Sequence, residues 1–388
     1  MDTLYKLRCL GYVEIEDSIW FANLYFNALI KLNKATGQIE RMEKFPNYGV
    51  YEYFLYSTVY YVDGFLVFIP NNSEEIAAYH VETRKFISTA LDHNYVGRKK
   101  TYFVNACVHR HYVYMFPTGS QCIVRYDVQN HTVKYLENSL SALIRTMPDT
   151  WYCFYQQFDE IDKRIYLPFL ELNAVAVFDI QNESVEIRYL DIEGGCSTIC
   201  HTGEYFYLAS WKMPKIYRWN VITDEIKAYQ NFPDGFYGER TFINSYNAGD
   251  TIIFFPEKSD MMISFCIKTE ELFIEKKIPE LDGELIATFF VDSKRRVKNF
   301  ILTRDMNGIG VFEYKNNKLL IEPYCQIYSY YNIKQIKKYM FYDKCMNVAL
   351  EEEGDLREYL EVILEKQRDT EKSKVYHCGN AIYKEVCS

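Results

Sequence analysis

Seven side chains in this sequence are of the types that hold a charged or sugar-like ligand: Arg98, Lys100, Arg145, Trp211, Tyr237, Arg240 and Arg304. An arginine fork matches the two oxygens of a carboxylate or phosphate, and a flat ring stacks on a sugar face or a cation. Tyr48, Tyr51, His93, Tyr95, Lys99, Trp151 and Phe236 stand in the same stretches. Cations beside aromatics on a chain of net charge −9 suggest an anionic or glycan ligand. The plainer reading is that solvated Lys and Arg ordinarily sit in loops.

Other chemistry is sparse. Cys196-x-x-x-Cys200-His201 is a local cluster, but its spacing fits no common zinc or haem pattern and no second Cys/His pair stands nearby. The seven histidines are scattered and no glycine-rich phosphate loop occurs. Acidic residues gather in Asp159-Glu160-Ile161-Asp162 and toward the C-terminus. No metal or cofactor is expected. Catalysis stays open, because a repeat protein assembles its site from residues far apart in sequence. A net charge of −9 argues against nucleic acid, which asks for a basic face.

Hydrophobic residues make up 48% and charged residues 25%, the balance of a globular chain. Thirty-six Tyr and 26 Phe favour strands, with tyrosine suited to half-exposed strand ends. The N-terminal stretch has no apolar core of signal-peptide length, and no run of 18 apolar residues is present. The expectation is a cytoplasmic chain without a membrane span, its eleven cysteines reduced and mostly buried.

The elements that would position the cations emerge from a repeat. Asn33, His80, Asp127, Asp179, Asn220, Cys266 and Glu313 mark one recurring place, spaced 41 to 52 residues apart. Before them stand Leu32, Tyr79, Tyr126, Phe178, Trp219, Phe265 and Phe312, all large and apolar. Three residues after comes Thr or Asn, and six after comes Ile, Phe, Val or Leu. That spacing describes a hairpin, with Thr or Asn expected to bond the backbone in its turn. A preceding strand usually ends in Pro, as at Pro70, Pro117, Pro168 and Pro256, where no ladder donor is needed. A further short strand comes first, as in Phe103–Val108, Trp151–Phe158 and Leu285–Val291.

Four strands per repeat of about 45 residues is the blade of a β-propeller. The expected fold is all-β: a seven-bladed propeller of four-stranded blades over residues 1–325. At least one blade should draw strands from both chain ends. A C-terminal extension over 326–388 carries a helical stripe at about 343–367 and a possible hairpin at Lys374–Val386. That helix either docks on the propeller flank or serves a dimer or partner.

The repeats over residues 11–325 resemble kelch repeats. The resemblance rests on the pairs Tyr126-Asp127, Phe178-Asp179 and Trp219-Asn220, on the polar turn three residues on, and on a large residue in the last strand. The diglycine that kelch blades carry after the second strand is replaced here, mostly by Pro. The resemblance implies a propeller that presents loops for binding.

In such a blade the connections between blades and the turns between second and third strands share one face. Lys44–Tyr51, Leu91–Lys100, Asn138–Thr150 and Phe232–Glu239 are the longest of them. Long loops on a rigid scaffold are where function usually sits. The leading expectation is a non-catalytic module that binds a protein partner or an anionic or glycan ligand on this face. The alternative is a carbohydrate-active enzyme (lyase, epimerase or glycosidase) with its site at the channel mouth.

Overall fold

Each copy of the repeat folds into an antiparallel sheet whose strands lie side by side in chain order. The third sheet shows the plan: Phe103–His109, Tyr112–Pro117, Ile123–Asp127 and Thr132–Leu136. The computed structural model describes residues 4–6, then 9–277 except 25, 37–38, 50–51, 98–100, 156, 237–241 and 257–260. It also describes 299–301, 309–315, 318–325 and 330–332. Six sheets are four-stranded, and a further sheet has three strands, Asn299–Ile301, Ile309–Lys315 and Lys318–Cys325. The strand expected at Leu285–Val291, the helix at about 343–367 and the hairpin at Lys374–Val386 lie outside the described residues. The N-terminal strand Leu4–Lys6 pairs with Tyr330–Asn332, but in a two-stranded sheet apart from the blades.

The turn after the third strand explains the recurring polar residue. Asp127 accepts the backbone N–H groups of Gln129 and Asn130 at 3.0 and 3.1 Å. Asn33, Asp179 and Asn220 repeat the pattern, and His80 Nδ1 accepts from Thr83 N at 3.1 Å. The marker residue itself is thus the acceptor. The Thr or Asn three residues on, expected to supply the bond, contributes its N–H instead. The next residue is left-handed in every described copy: Arg84, His131, Glu183, Asp224 and Glu270 have φ between 54 and 58°. A non-glycine residue there is strained, and the capped turn holds it in place.

The large apolar residue before the marker faces the preceding sheet. Tyr79 joins the layer with Trp20 and Leu29 of the first sheet, and Tyr126 the layer with Val67 and Ile76 of the second. Phe178 packs with Tyr114 and Phe116, Trp219 with Tyr166 and Val175, and Phe265 with Tyr207 and Ile216. All five are completely buried. Apolar burial therefore lies between consecutive sheets, so one sheet alone leaves an apolar face bare. That is the packing of propeller blades.

A second repeat crosses the same junctions. Glu183, in the fourth sheet's turn, takes Arg125 and Lys134 of the third sheet, each at 2.6 Å, and Tyr114 OH at 3.1 Å. Glu270 of the sixth sheet pairs with Arg218 and Lys227 of the fifth. Arg125 and Arg218 hold the same place in their repeats, as do Lys134 and Lys227. The left-handed turn residue is what reaches across.

The fourth sheet departs from expectation. Its first strand is Asp159–Ile161, not Trp151–Phe158. Asp162 and Lys163 both have positive φ, so a tight hairpin turn reverses the chain and leaves Asp159 to pair with Tyr166. The described residues before it run without a ladder. Two connections between sheets contain helical turns that hydrophobic periodicity does not reveal: α1 (His93–Val96), capped by Asp92, and α2 (Ser139–Ile144), closed by a capping box between Asn138 and Ser141.

Candidate functional site

In the four-stranded sheets the first strand is innermost, and first strands of neighbouring sheets lie against one another, as Cys196–Thr202 does against Phe242–Asn247. An innermost strand has a sheet partner on one side only. Alternate peptide groups on its other edge point toward the ring axis and need another partner. The structure supplies side chains. Tyr60 OH donates to Ala106 O. Gln157 Oε1 accepts from Ile199 N at 3.3 Å and Ser245 N at 2.8 Å, while its Nε2 donates to Ser245 O at 2.7 Å. Asp159 Oδ2 accepts both His201 N and His201 Nδ1 at 2.7 Å, and Asn247 Nδ2 donates to His201 O at 2.8 Å.

Four innermost strands also carry a bulge at their start: at Ser57-Thr58, Val104, Ser197 and Ile243, one extra residue faces the second strand. The polar residues at these bulges are at most 9% exposed and bond locally, as Asn105 Oδ1 does with Ala106 N and Asn244 Oδ1 with Ser245 N. The bulge also decides the fate of the Cys196, Cys200 and His201 cluster. Residues four apart in a regular strand share a face, but the extra residue flips them. Cys196 enters the layer between the fourth and fifth sheets and Cys200 the layer between the fifth and sixth. Among the described residues no three His, Cys, Asp or Glu side chains gather as a metal site. None of the described helices is long and apolar enough to cross a membrane.

At one end of the strands, neighbouring sheets are stitched by backbone. The turn after one sheet's second strand accepts from the segment entering the next sheet: Phe54 N to Leu24 O at 2.7 Å, Tyr102 N to Asn71 O at 2.8 Å, Cys153 N to Thr118 O at 2.8 Å and Cys196 N to Phe169 O at 2.7 Å. These bonds put both kinds of connection on one face. On that face stand Tyr53, Tyr95, Tyr152 and Tyr189, exposed by 63, 37, 37 and 70%. Beside Tyr152, Tyr155 packs on Trp211 with ring centres 5.4 Å apart, and Lys212 lies 5.8 Å over the Trp151 ring while bonding Glu171 at 2.7 Å.

Of the seven candidate residues, two are described. Trp211 is buried, 7% exposed, with its backbone N–H on Gly195 O, so it supports the surface from beneath. Arg145 ends α2 and forks Glu137, with Nη1 to Oε2 at 2.9 Å and Nη2 to Oε1. That pairing braces its own loop. Arg98, Lys100, Tyr237, Arg240 and Arg304 lie outside the described residues. The exposed tyrosines were not singled out as a group from sequence. Their signal was position: each stands in a connection between blades or at the last residue of an outer strand.

No family model matches this chain, and no curated protein matches it. Its fold matches solved structures. It superposes on a chain of a mitotic checkpoint complex with a TM-score of 0.51 at 12% identity, covering 84% of this chain and 89% of that one. The WD40 repeats of RRP9 give 0.50 at 10% identity, over 86% and 94%. Virginiamycin B lyase from Staphylococcus aureus gives 0.50 at 12% identity, over 71% and 88%. These are β-propellers, and the likeness is one of fold. The chain is a β-propeller; the narrower kelch assignment finds no support in them.

Proposed function

We propose that this chain is a non-catalytic interaction module, a ring of seven blades that docks a protein partner on its long-loop face. The observation that carries the reading is the set of four exposed tyrosines presented there by successive blades. Tyrosine offers a large contact at low conformational cost and is enriched where proteins meet. Arg145, Lys212 and Lys215 on this face are each matched by a carboxylate of the chain, Glu137, Glu171 and Glu193. The described part of the face therefore favours an aromatic contact over an anion cradle, and a glycan would have to use the same rings. The enzyme alternative has one observation for it, the Asp159–His201 pair, and there Asp159 also caps a strand-edge N–H.

Photo-cross-linking in the cells that make the protein tests the reading. A benzophenone side chain is placed at 53, 95, 152 or 189, and for comparison at Ile222, which is 68% exposed in a turn of the opposite face. One common protein adduct from the tyrosine positions, lost in a Tyr152→Ala/Tyr189→Ala background with the probe at 53, supports docking. The same adduct from position 222 alone would place the partner on the other face and end the proposal. Titration calorimetry with acidic and neutral oligosaccharides reads the glycan alternative. Heat with the neutral sugar, abolished by Tyr152→Ala, would replace protein docking by carbohydrate binding.

A further inference from the structure

We propose, building on that docking reading, that Gln157 is the positioning residue for the aromatic connection at 151–158, which it clamps to the axis-facing edges of the fifth and sixth sheets. This connection carries Trp151, Tyr152 and Tyr155, and its described residues form no ladder. One end is held by Cys153 N on Thr118 O and Phe154 N on Pro117 O, at 2.8 and 3.2 Å. The other end is tied by the Gln157 carboxamide. Gln157 Oε1 takes Ile199 N, Ser245 N and Ser245 Oγ, the last at 3.0 Å, and Nε2 gives to Ser245 O. Two opposed bonds to one residue's N–H and C=O reproduce what a neighbouring strand does. The amide side chain thus acts as a one-residue strand on an edge that has no other.

The burial of its partners makes the clamp consequential. Ile199 is 0% and Ser245 1% exposed, so water does not readily replace the side chain. Ser245 N keeps Asn244 Oδ1 at 2.9 Å as a second acceptor. The loss on removing the carboxamide therefore falls on Ile199 N–H and Ser245 O. Length matters as much as chemistry, because the side chain starts in the fourth sheet's entry segment and reaches the first strand of the sixth. Asparagine, one methylene shorter, carries the same amide and cannot span that distance. The clamp couples the tyrosine surface to the ring's interior, so a partner pressing on Tyr152 meets a fixed segment.

Hydrogen exchange read by mass spectrometry on the full chain tests the clamp without any partner. In Gln157→Ala, exchange at the Ile199 amide and in the 151–158 segment should rise about tenfold, the scale of one net hydrogen bond, while the third sheet stays as in wild type. Gln157→Asn should match the alanine variant. Gln157→Glu keeps an acceptor of full length for Ile199 N–H but sets an oxygen against Ser245 O, so it should protect Ile199 better than alanine does yet less than wild type. Unchanged exchange in Gln157→Ala, or full protection in Gln157→Asn, overturns the clamp. Either failure leaves the docking proposal standing, since cross-linking at 53 and 189 reads that separately.

Discussion

Replacing Trp219 by alanine should cost about 4–5 kcal/mol, a sum set by where the ring lies. Trp219 is completely buried between the fourth and fifth sheets, stacked on Phe206 at 5.4 Å and 6.5 Å from Tyr166. A buried tryptophan removes roughly 150–250 Å² from water, worth about 4–6 kcal/mol at ~25 cal/mol per Å². Alanine retains a little of this, and measured Trp→Ala costs of about 3–5 kcal/mol include the cavity left behind. Each wall of this cavity is a sheet held by its own ladder, so collapse is limited and the upper half of that range applies. The indole N–H also donates to Asp224 Oδ1 at 3.1 Å, a bond of about 1 kcal/mol at a partly exposed turn. Trp219→Phe, which keeps the stack and loses that bond, should therefore cost only about 1–2 kcal/mol. Urea unfolding followed by circular dichroism gives both values from the midpoint at constant slope. A loss below about 1.5 kcal/mol for Trp219→Ala would refute the idea that the residue before each marker holds neighbouring blades together.

Burial works against ionising Glu183, but hydrogen bonds from Lys134, Arg125 and Tyr114 outweigh it and hold the carboxyl below its usual range. Its contribution is thus full above the ordinary glutamate value near 4.3 and disappears as pH falls through the lower folded value. Glu183→Gln should lose about 1–2 kcal/mol at pH 7 and show a shallower acid limb, read from urea midpoints between pH 3 and 7; an unchanged acid limb would count against the cross-blade pair. Cys266 replaces Asp or Asn at the turn marker, and bonds from the Thr269 hydroxyl and the N–H groups of Thr269 and Lys268 lower its thiol pKa. Burial raises Cys107, Cys122 and Cys196, with Cys122 at about 12. Iodoacetamide at pH 7.5 should label Cys266 well ahead of those three by peptide mass mapping, and equal labelling would contradict the capped-thiol geometry. Gly195 has φ +62°, and a Cβ there would lie 2.0 Å from Leu170 O. Gly195→Ala should therefore cost at least about 2 kcal/mol in the same unfolding assay, and a neutral result would mean this connection can move away from the fourth sheet.

The hairpin, its marker and the large residue before it were legible in sequence, because a turn and a period-2 strand are local and recur in each copy. Tyr126 and Trp219 are buried between sheets as their register implied. Even so, the local pattern misassigned the bonding. It expected the side chain of the turn's Thr or Asn to bond the backbone, whereas Asp127 is the acceptor, since either polar residue can cap a turn and only the backbone path decides. The Trp151–Phe158 strand failed for a related reason. Its apolar run looks like a strand in isolation, but strand identity depends on which residue faces the next strand, and the Asp162-Lys163 turn sets that pairing to begin at Asp159.

The candidate surface was less accessible to the sequence. Its loops could be placed on one face from the repeat, but side-chain direction could not be read. Arg145 was an open cation on paper and is closed on Glu137 in space; Trp211 was a surface ring and is buried. Gln157 carried no signal, because its partners, Ile199 and Ser245, lie 42 and 88 residues away. The sequence by itself determined the blade, whose strand ladders are all within one repeat. Only the tertiary structure decided what stands on the axis and what stands in solvent. Those places are defined by several blades at once, and an innermost strand edge acquires its partner only when the ring brings another blade's side chain to it.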